Sequence, residues 1–248
     1  MFDYELFQNQ LKTNFIGQNI KYFESIDSTN TQAWNLTHLK IDNGTVIIAS
    51  EQTEGRGRRG NKWFSSNNKS LTFSIALLKN TQIKRSVLAL MTGVAIIKGI
   101  KKMIDIPCYL KWPNDIILNS KKLGGVLIET KGHNVVIGVG INVNEDYNDF
   151  NSEIKKQSIS LKMNEKKIIK RELLLAHILN QFELLYKKNN DKIIKEWLEY
   201  CFHINKEIKF HNDGKITKAI FKSINNDGCG ILNIDNKEIL ISGGVIEL

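Results

Sequence analysis

The period of the apolar positions changes several times along the chain, and each period predicts a different element. Residues 19–26 alternate apolar and polar, which is typical of a half-buried strand. Other apolar runs predict six further strands, at residues 45–50, 70–78, 108–112, 115–119, 122–130 and 135–142. Apolar side chains at helical spacing predict helices at residues 85–103, 167–188 and 191–200. Residues 28–31 (STNT) offer capping groups for a short helix to about residue 39.

After about Asn205 the pattern changes to short strands separated by tight turns. The turn signals are NDG at 212–214, NDG at 226–228 and GG at 243–244. Residues 144–163 are polar and are predicted to be irregular. We therefore predict an α+β fold with a larger domain over residues 1–205 and a small C-terminal β-barrel over residues 206–248.

The composition is that of an ordinary globular protein, with 42% hydrophobic and 25% charged residues in 248. That length can bury one large domain, or a large domain and a small one. No apolar run approaches the roughly 20 residues that cross a bilayer. The N-terminus (MFDYE) is acidic and lacks a basic segment followed by an apolar one. We therefore expect a cytoplasmic protein with no membrane contact.

The net charge of +9, from 35 Lys and Arg against 26 Asp and Glu, favours an acidic partner such as a nucleic acid, a nucleotide or an acidic protein. Many of the lysines are dispersed, which is also typical of a solvated basic surface. The three cysteines and five histidines are scattered without CxxC or HxxxH spacing, so neither a disulfide framework nor a structural zinc site is expected. A Ser-His-Asp triad has no support in the sequence.

Residues 55–60 (GRGRRG) carry the sharpest chemical signal. Alternating glycines let the backbone approach a ligand closely, and guanidinium groups bind phosphate or carboxylate oxygens in bidentate fashion. Taken alone, the segment could equally be an RNA-binding tract or a flexible loop.

Three further segments bring polar or glycine-rich sequence to strand ends. They are KWPND at residues 111–115, KLGG at 122–125 and GVGIN at 138–142. Pro113 restricts the turn in the first segment, and glycine inside a strand often marks close approach of a ligand or of another backbone. Each segment alone could also be an ordinary turn, surface lysine or packed strand.

Together and in this order, these segments closely resemble the biotin–protein ligase family. The resemblance runs from STN at 28–30 through Gln52, the 55–60 segment and Lys62-Trp63 to GIN at 140–142, and covers roughly residues 20–145. It implies a class II synthetase-like mixed sheet with helices and an SH3-like C-terminal barrel. It also implies an enzyme that uses ATP to convert biotin to biotinyl-5'-AMP and then transfers the biotinyl group to a lysine.

The resemblance further implies roles for individual residues. Lys122 and Arg58 would be catalytic, and Asp115 would bind Mg²⁺. Residues expected to contact biotin are Ser28, Thr29, Asn30, Gln52, Arg56, Gly57, Arg58, Lys122 and Gly125. Residues expected to contact the nucleotide are Arg58, Trp63, Asn114, Lys122 and Asn142.

The expected acceptor is the biotin carboxyl carrier domain of an acyl-CoA or pyruvate carboxylase, and the family includes both monomers and homodimers. About twenty-five residues precede the Ser28 segment, too few for a helix-turn-helix domain, so we expect a ligase-only form without specific DNA binding. Two alternatives remain open. One is a lipoate–protein ligase of the same fold, and the other is a basic nucleic-acid-binding protein.

Overall fold

A seven-stranded mixed sheet forms the centre of the larger domain in the computed structural model, which describes residues 2–39, 41–78, 83–212 and 214–247. Its strands are β1 (Ile20–Ile26), β2 (Thr45–Gln52), β3 (Leu71–Leu77), β4 (Tyr109–Lys111), β5 (Asp115–Leu118), β6 (Lys121–Lys131) and β7 (Asn134–Ile141). They are arranged in the order β1-β2-β3-β7-β6-β5-β4. Only β1 and β2 pair in parallel. All seven predicted strands are confirmed, with ends shifted by at most two residues.

Helices cover both faces of this sheet. They are α1 (Tyr4–Gln8), α2 (Thr29–Thr37), α3 (Arg85–Lys101), α4 (Leu161–Glu165), α5 (Arg171–Tyr186) and α6 (Asn190–Tyr200). Successive side chains of β2 point to opposite faces, so Val46 and Ile48 join the core under α3, α5 and α6. Ile47 joins a second, smaller core with Ala33 and Trp34 of α2. The α2 side of the sheet is thinly covered, which leaves room there for a cleft.

Two short helices were not predicted. The prediction of irregular structure for residues 144–163 is wrong at its end, where α4 begins at Leu161. The Ser160 side chain accepts a hydrogen bond from Met163 N and so caps this helix. Helix α1 is capped in the same way by Asp3 and buries Phe7. Both helices are only five residues long, too short for a helical period to show in the sequence.

The C-terminal residues form a second sheet, which we call the C-terminal sheet. Its strands are β8 (Glu207–Asn212), β9 (Lys215–Ile224), β10 (Gly230–Ile234), β11 (Lys237–Ile241) and β12 (Val245–Glu247). All pairs are antiparallel, in the order β11-β10-β9-β8-β12. The α+β fold with a small C-terminal β-domain is confirmed. Asp213 in the predicted 212–214 turn and Leu248 at the predicted domain end lie outside the described residues, and the boundary at residue 205 stays a prediction.

The C-terminal sheet packs against the larger domain close to the KWPND turn. The ring of Phe221 lies 6.1 Å from the ring of Trp112, whose Nε1 donates a hydrogen bond to the carbonyl of Gly228 (3.2 Å). An ion pair joins Lys84, next to α3, to Asp227 at 2.6 Å. These contacts bring the turn at residues 242–244 next to the KWPND turn at residues 111–115.

Across the part of the chain that the structure describes, no helix is both long and apolar enough to span a membrane.

Candidate functional site

A cleft of about 170 Å³ opens on the α2 side of the mixed sheet. Its walls come from the first turn of α2, the 55–63 segment, the 111–115 turn, strands β6 and β7, and residues 244–246 of the C-terminal sheet. We call it the main cleft. Twelve of the thirteen predicted site residues line it: Ser28, Thr29, Asn30, Gln52, Arg56, Gly57, Arg58, Trp63, Asn114, Asp115, Lys122 and Gly125.

The first turn of α2 forms one end of the main cleft. The amide oxygen of Gln52 accepts hydrogen bonds from the backbone N (2.7 Å) and hydroxyl (3.0 Å) of Thr29. Ser28 occupies the N-cap position, but its side chain makes no capping bond. Gln52, and not a residue of the STNT segment, therefore accepts the hydrogen bond from a backbone N–H at the start of α2. The hydroxyl of Ser74 donates to Asn30 Oδ1 at 2.6 Å. Within the described residues, the buried Asn30 Nδ2 has no partner and is left for a ligand.

The indole of Trp63 packs closely against Gly140 of strand β7. A Cβ atom at Gly140 would be only 2.3 Å from Trp63 Cε2, and one at Gly138 would be 2.4 Å from Asn30 Oδ1. Both glycines face the cleft because they are two residues apart on one strand. Trp63 Nε1 is buried and lacks a hydrogen-bond partner in the described part of the chain. The glycines thus allow an aromatic wall and a second unpaired donor in the cleft.

The charged end of the cleft combines several cations with one carboxylate. Its described lining includes Arg56, Arg58, Arg59, Lys62, Lys111 and Lys122, while Asp115 is the sole acidic residue. Arg58 Nη1 donates to Asn114 Oδ1 (2.9 Å), and Lys122 Nζ lies 2.7 Å from Asp115 Oδ1. This excess of positive charge favours an anionic ligand.

The positive charge of the cleft is concentrated around Arg58. Burial lowers the pKa of the Arg58 guanidinium; the carboxylate of Asp115 opposes the shift, while the charges of Arg59 and Arg85 add to it. Arginine nonetheless keeps its charge in proteins. A bound anion would therefore relieve repulsion among these guanidinium groups.

Two predicted residues have a different placement from that expected. The Arg56 guanidinium is 3.1 Å from the Glu129 carboxylate and also donates to Thr31, so its side chain is already engaged and its backbone is the part left for a ligand. Asn142 is the predicted residue that does not line the main cleft. Its amide donates to the carbonyls of Lys122 (3.3 Å) and Ile159 (3.1 Å), an arrangement that holds the backbone of Lys122 in place.

The C-terminal sheet contributes residues that the sequence predictions missed. Gly244, Val245 and Ile246 line the main cleft, and a Cβ atom at Gly243 would be 3.7 Å from Arg58 Nη2. Arg59 adopts a left-handed conformation (φ 55°) and donates to Asn212 Oδ1 at 3.0 Å. The only signal in the sequence was the pair of glycines at 243–244, which was interpreted as a turn.

A buried cysteine and histidine outside the cleft do not form a catalytic pair. Cys201 Sγ lies 3.3 Å from His203 Nδ1. Burial raises the pKa of Cys201 to about 12 and lowers the pKa of His203 to about 3, so both are neutral at pH 7. His203 is also fully buried against Phe221, where no substrate reaches it.

For a metal ion, the main cleft offers only the Asp115 carboxylate. No group of three or more His, Cys, Asp or Glu side chains suited to a metal occurs in the described ranges. Mg²⁺ is commonly held by one or two carboxylates together with substrate phosphates. The residues present therefore fit an ion that arrives with a nucleotide, and they do not form a protein cage for a resident metal.

The cleft has the chemistry of a site for an anionic ligand with a flat ring. The cations supply the anion site, and the indole of Trp63 supplies an aromatic surface. The unpaired nitrogens of Asn30 and Trp63 supply hydrogen-bond donors. Nucleotides are ligands of this class.

The model of the biotin/lipoate A/B protein ligase family matches residues 22–142. The chain is 36% identical over 183 residues to the bifunctional ligase/repressor BirA of Bacillus subtilis, an alignment covering 71% of this chain and 56% of that protein. It thus spans about half the length of that relative. It is 25% identical over 210 residues to the biotin–[acetyl-CoA-carboxylase] ligase of Mycobacterium tuberculosis, covering 81% of this chain and 77% of that one.

Among solved structures, the biotin protein ligase from Aquifex aeolicus in complex with biotin and ATP superposes with a TM-score of 0.83 at 26% identity, covering 93% of this chain and 99% of that one. Residues 22–142 therefore match the biotin/lipoate A/B protein ligase family, and the fold of the chain is similar to that of a biotin protein ligase. The Mycobacterium tuberculosis relative and the Aquifex aeolicus structure are biotin ligases, and the resemblance noted in the sequence motifs is confirmed.

Proposed function

We propose that the protein uses ATP to convert biotin to biotinyl-5'-AMP and then transfers the biotinyl group to a lysine of a biotin carboxyl carrier domain. One observation carries the proposal: a single cleft combines an unpaired buried donor, Asn30 Nδ2, at the α2 end with a cluster of cations around Arg58 and Lys122. An acid with a neutral ureido ring and a nucleotide together need this combination. The family match and the Aquifex aeolicus ligase with biotin and ATP support it.

The α2 end suits the ureido ring of biotin. That ring carries one carbonyl acceptor and two N–H donors, so it needs both kinds of partner in a confined site. Asn30 Nδ2 is an unpaired donor there, and the hydroxyls of Ser28 and Thr29 can donate or accept. Gln52 fixes Thr29 in place through two hydrogen bonds. Gly57 and Gly125 also line the cleft, and a Cβ atom at Gly125 would be 3.5 Å from Lys122 Nζ.

The Trp63 end suits the nucleotide. The adenine would stack on the indole, whose position depends on Gly140. Arg58 and Lys122 would contact the biotin carboxylate and the α-phosphate. These two anions repel each other, so preorganised cations lower the barrier to their reaction. Asn114 orients Arg58 through its hydrogen bond, and Asn142 positions Lys122 through its backbone contact.

In the first half-reaction, a carboxylate oxygen of biotin bonds to the α-phosphorus as the bond from that phosphorus to the bridging oxygen breaks. Pyrophosphate leaves with the electron pair. Mg²⁺, when bound with ATP, would be held by Asp115 and phosphate oxygens and would withdraw charge from them. Arg58 and Lys122 then face the mixed anhydride and hold it in the cleft.

In the second half-reaction, the neutral amine of the acceptor lysine attacks the acyl carbon. An amide bond forms, AMP leaves, and the amine loses a proton. None of these steps requires an enzyme nucleophile, which agrees with the neutral state of Cys201 and His203.

Lipoate is the nearest alternative acid, because the family description includes lipoate ligases. The purified protein would be incubated with ATP, Mg²⁺ and either biotin or lipoate, and pyrophosphate release would be measured. We expect release with biotin and little with lipoate. The opposite preference would reject the biotin assignment while leaving the adenylate chemistry intact.

A nucleic-acid-binding function fits the geometry less well. The charges of Arg56 and Lys122 are engaged by Glu129 and Asp115 inside or beside a cleft, and Trp63 is packed against a strand rather than displayed on the surface. The cytoplasmic location, the carboxylase that supplies the acceptor, and the choice between monomer and homodimer stay predictions.

A further inference from the structure

A second cavity of about 260 Å³ adjoins the main cleft at the junction with the C-terminal sheet. We call it the side cavity. It shares six lining residues with the main cleft: Arg58, Trp112, Pro113, Asn114, Val126 and Leu127. On its far side it is closed by the first turns of α3 and by Gly228, Cys229 and Ser242. The two spaces are therefore continuous around Arg58.

The charge in the side cavity is entirely positive. Arg58 and Arg85 both line it, and none of its described lining residues is Asp or Glu. The two guanidinium groups are close enough that the charge of Arg85 contributes to the lowered pKa of Arg58. The other walls combine apolar side chains, such as Ala89 and Val126, with polar ones, such as Ser86 and Asn114, which can donate hydrogen bonds to an anion.

Arg85 is an exposed cation at the start of α3. It is the first residue of α3, where the helix dipole disfavours a cation, and this helix has no acidic residue in its first turn. Its neighbour Lys84 pairs with Asp227, whereas the side chain of Arg85 makes no hydrogen bond or ion pair with the described residues. A guanidinium in this setting is available to bind an anion.

We infer that the side cavity binds the pyrophosphate leaving group, with Arg85 as a pyrophosphate-binding residue. The inference rests on the proposed adenylate chemistry. If Arg58 contacts the α-phosphate, the departing β- and γ-phosphates need a space next to Arg58 that carries additional positive charge. The side cavity is such a space. An acceptor lysine, which is mostly cationic at pH 7, would be repelled there, so the acceptor must approach from elsewhere.

Cys229 provides a direct reporter of binding that does not depend on activity. It lines the side cavity and is partly exposed, whereas Cys108 and Cys201 are buried. The full chain would be treated with a maleimide, with and without inorganic pyrophosphate, and alkylation of Cys229 would be followed by mass spectrometry. We expect pyrophosphate to slow the alkylation in the wild type and in Lys84→Ala, but not in Arg85→Ala. Lys84→Ala is the matched control because it removes the adjacent positive charge, which pairs with Asp227 and does not line the side cavity.

Kinetics of the reverse reaction give the second readout. With biotin present, exchange of labelled pyrophosphate into ATP yields a KM for pyrophosphate. Loss of a charge-assisted contact should raise that KM roughly tenfold or more in Arg85→Ala, with partial recovery in Arg85→Lys and no change in the KM for biotin. Transfer of biotin from preformed biotinyl-5'-AMP should be unaffected, because pyrophosphate takes no part in that step.

The outcomes separate the two proposals. If the wild type catalyses no biotin-dependent exchange, the proposed function fails. If the wild type exchanges normally while Arg85→Ala retains both its KM for pyrophosphate and the protection of Cys229, the side cavity is not the pyrophosphate site and the proposed function stands.

Discussion

Two glycines on strand β7 allow the two ends of the main cleft to be perturbed separately. Gly140 and Gly138 face the same side of the sheet, but the first supports Trp63 and the second supports Asn30. We predict that Gly140→Ala weakens ATP binding and leaves biotin binding nearly intact. We predict the reverse for Gly138→Ala. The two variants are matched controls because each adds one methyl group to the same strand.

The magnitude follows from the available space. Carbon atoms in contact are normally about 3.5–4.0 Å apart. The added methyl at residue 140 would be 2.3 Å from Trp63 Cε2, so the indole must move. Losing its stacking on adenine would cost about 1–3 kcal/mol, by analogy with base–aromatic stacking elsewhere. That range corresponds to an increase of about fivefold to about a hundredfold in the KM for ATP.

At residue 138 the added methyl would be 2.4 Å from Asn30 Oδ1. Displacing Asn30 removes a donor for the ureido ring and disturbs the bond from Ser74, a loss of about 1–3 kcal/mol in biotin affinity. The assay is steady-state pyrophosphate release with biotin and ATP varied in turn, after thermal denaturation has shown that both variants fold. If both substitutions raise the same KM, or if the two effects are exchanged, the assignment of the two ends is wrong.

The sequence predicted the sheet well because its strands are short apolar runs bounded by turn residues, as at β2 and β3. The site was also largely predictable, since the motifs that form the main cleft are contiguous segments at strand ends. The exceptions arise from contacts between residues distant in the sequence. Neither the pairing of Arg56 with Glu129 nor the contact of Arg59 with Asn212 leaves any local pattern. The sequence around Arg85 likewise carries no signal of a site, because its position next to Arg58 depends on the packing of α3.

Three further predictions follow from the contacts described. Arg58→Gly should still release pyrophosphate, but it should lose charge-assisted hydrogen bonds worth about 1.5–3 kcal/mol and therefore release the adenylate early. Biotin should then appear on a bystander protein. An unmodified bystander together with normal labelling of the acceptor would contradict this prediction. Lys122→Ala should lose about 3 kcal/mol of transition-state stabilisation. The rate of pyrophosphate exchange should therefore fall roughly a hundredfold, with little change in melting temperature. Near-normal exchange would remove Lys122 from the mechanism. Glu183→Gln should lower the free energy of unfolding by about 2 kcal/mol, because its buried carboxylate accepts hydrogen bonds from Asn14, Phe15 and Ile16. Burial alone would raise the pKa of Glu183, but these backbone N–H groups outweigh it and lower the pKa. The stabilisation is therefore present above the unfolded pKa of about 4.3 and is lost as the pH falls through the folded pKa. The free energies of unfolding of the wild type and Glu183→Gln should therefore converge in acid and differ at neutral pH. Equal stability of the two proteins at pH 7 would show that the carboxylate does not anchor the N-terminal segment.

The most direct test of the proposed function is mass spectrometry of a biotin carboxyl carrier domain incubated with the purified protein, biotin, ATP and Mg²⁺. We predict that the carrier gains the mass of one biotinyl group on a single lysine, and that omitting ATP abolishes the gain. Parallel reactions with lipoate, and with a carrier in which that lysine is replaced by arginine, should leave the carrier unmodified. A carrier that stays unmodified with biotin and ATP, while the protein remains folded, would contradict the assignment of biotin ligation to this cleft.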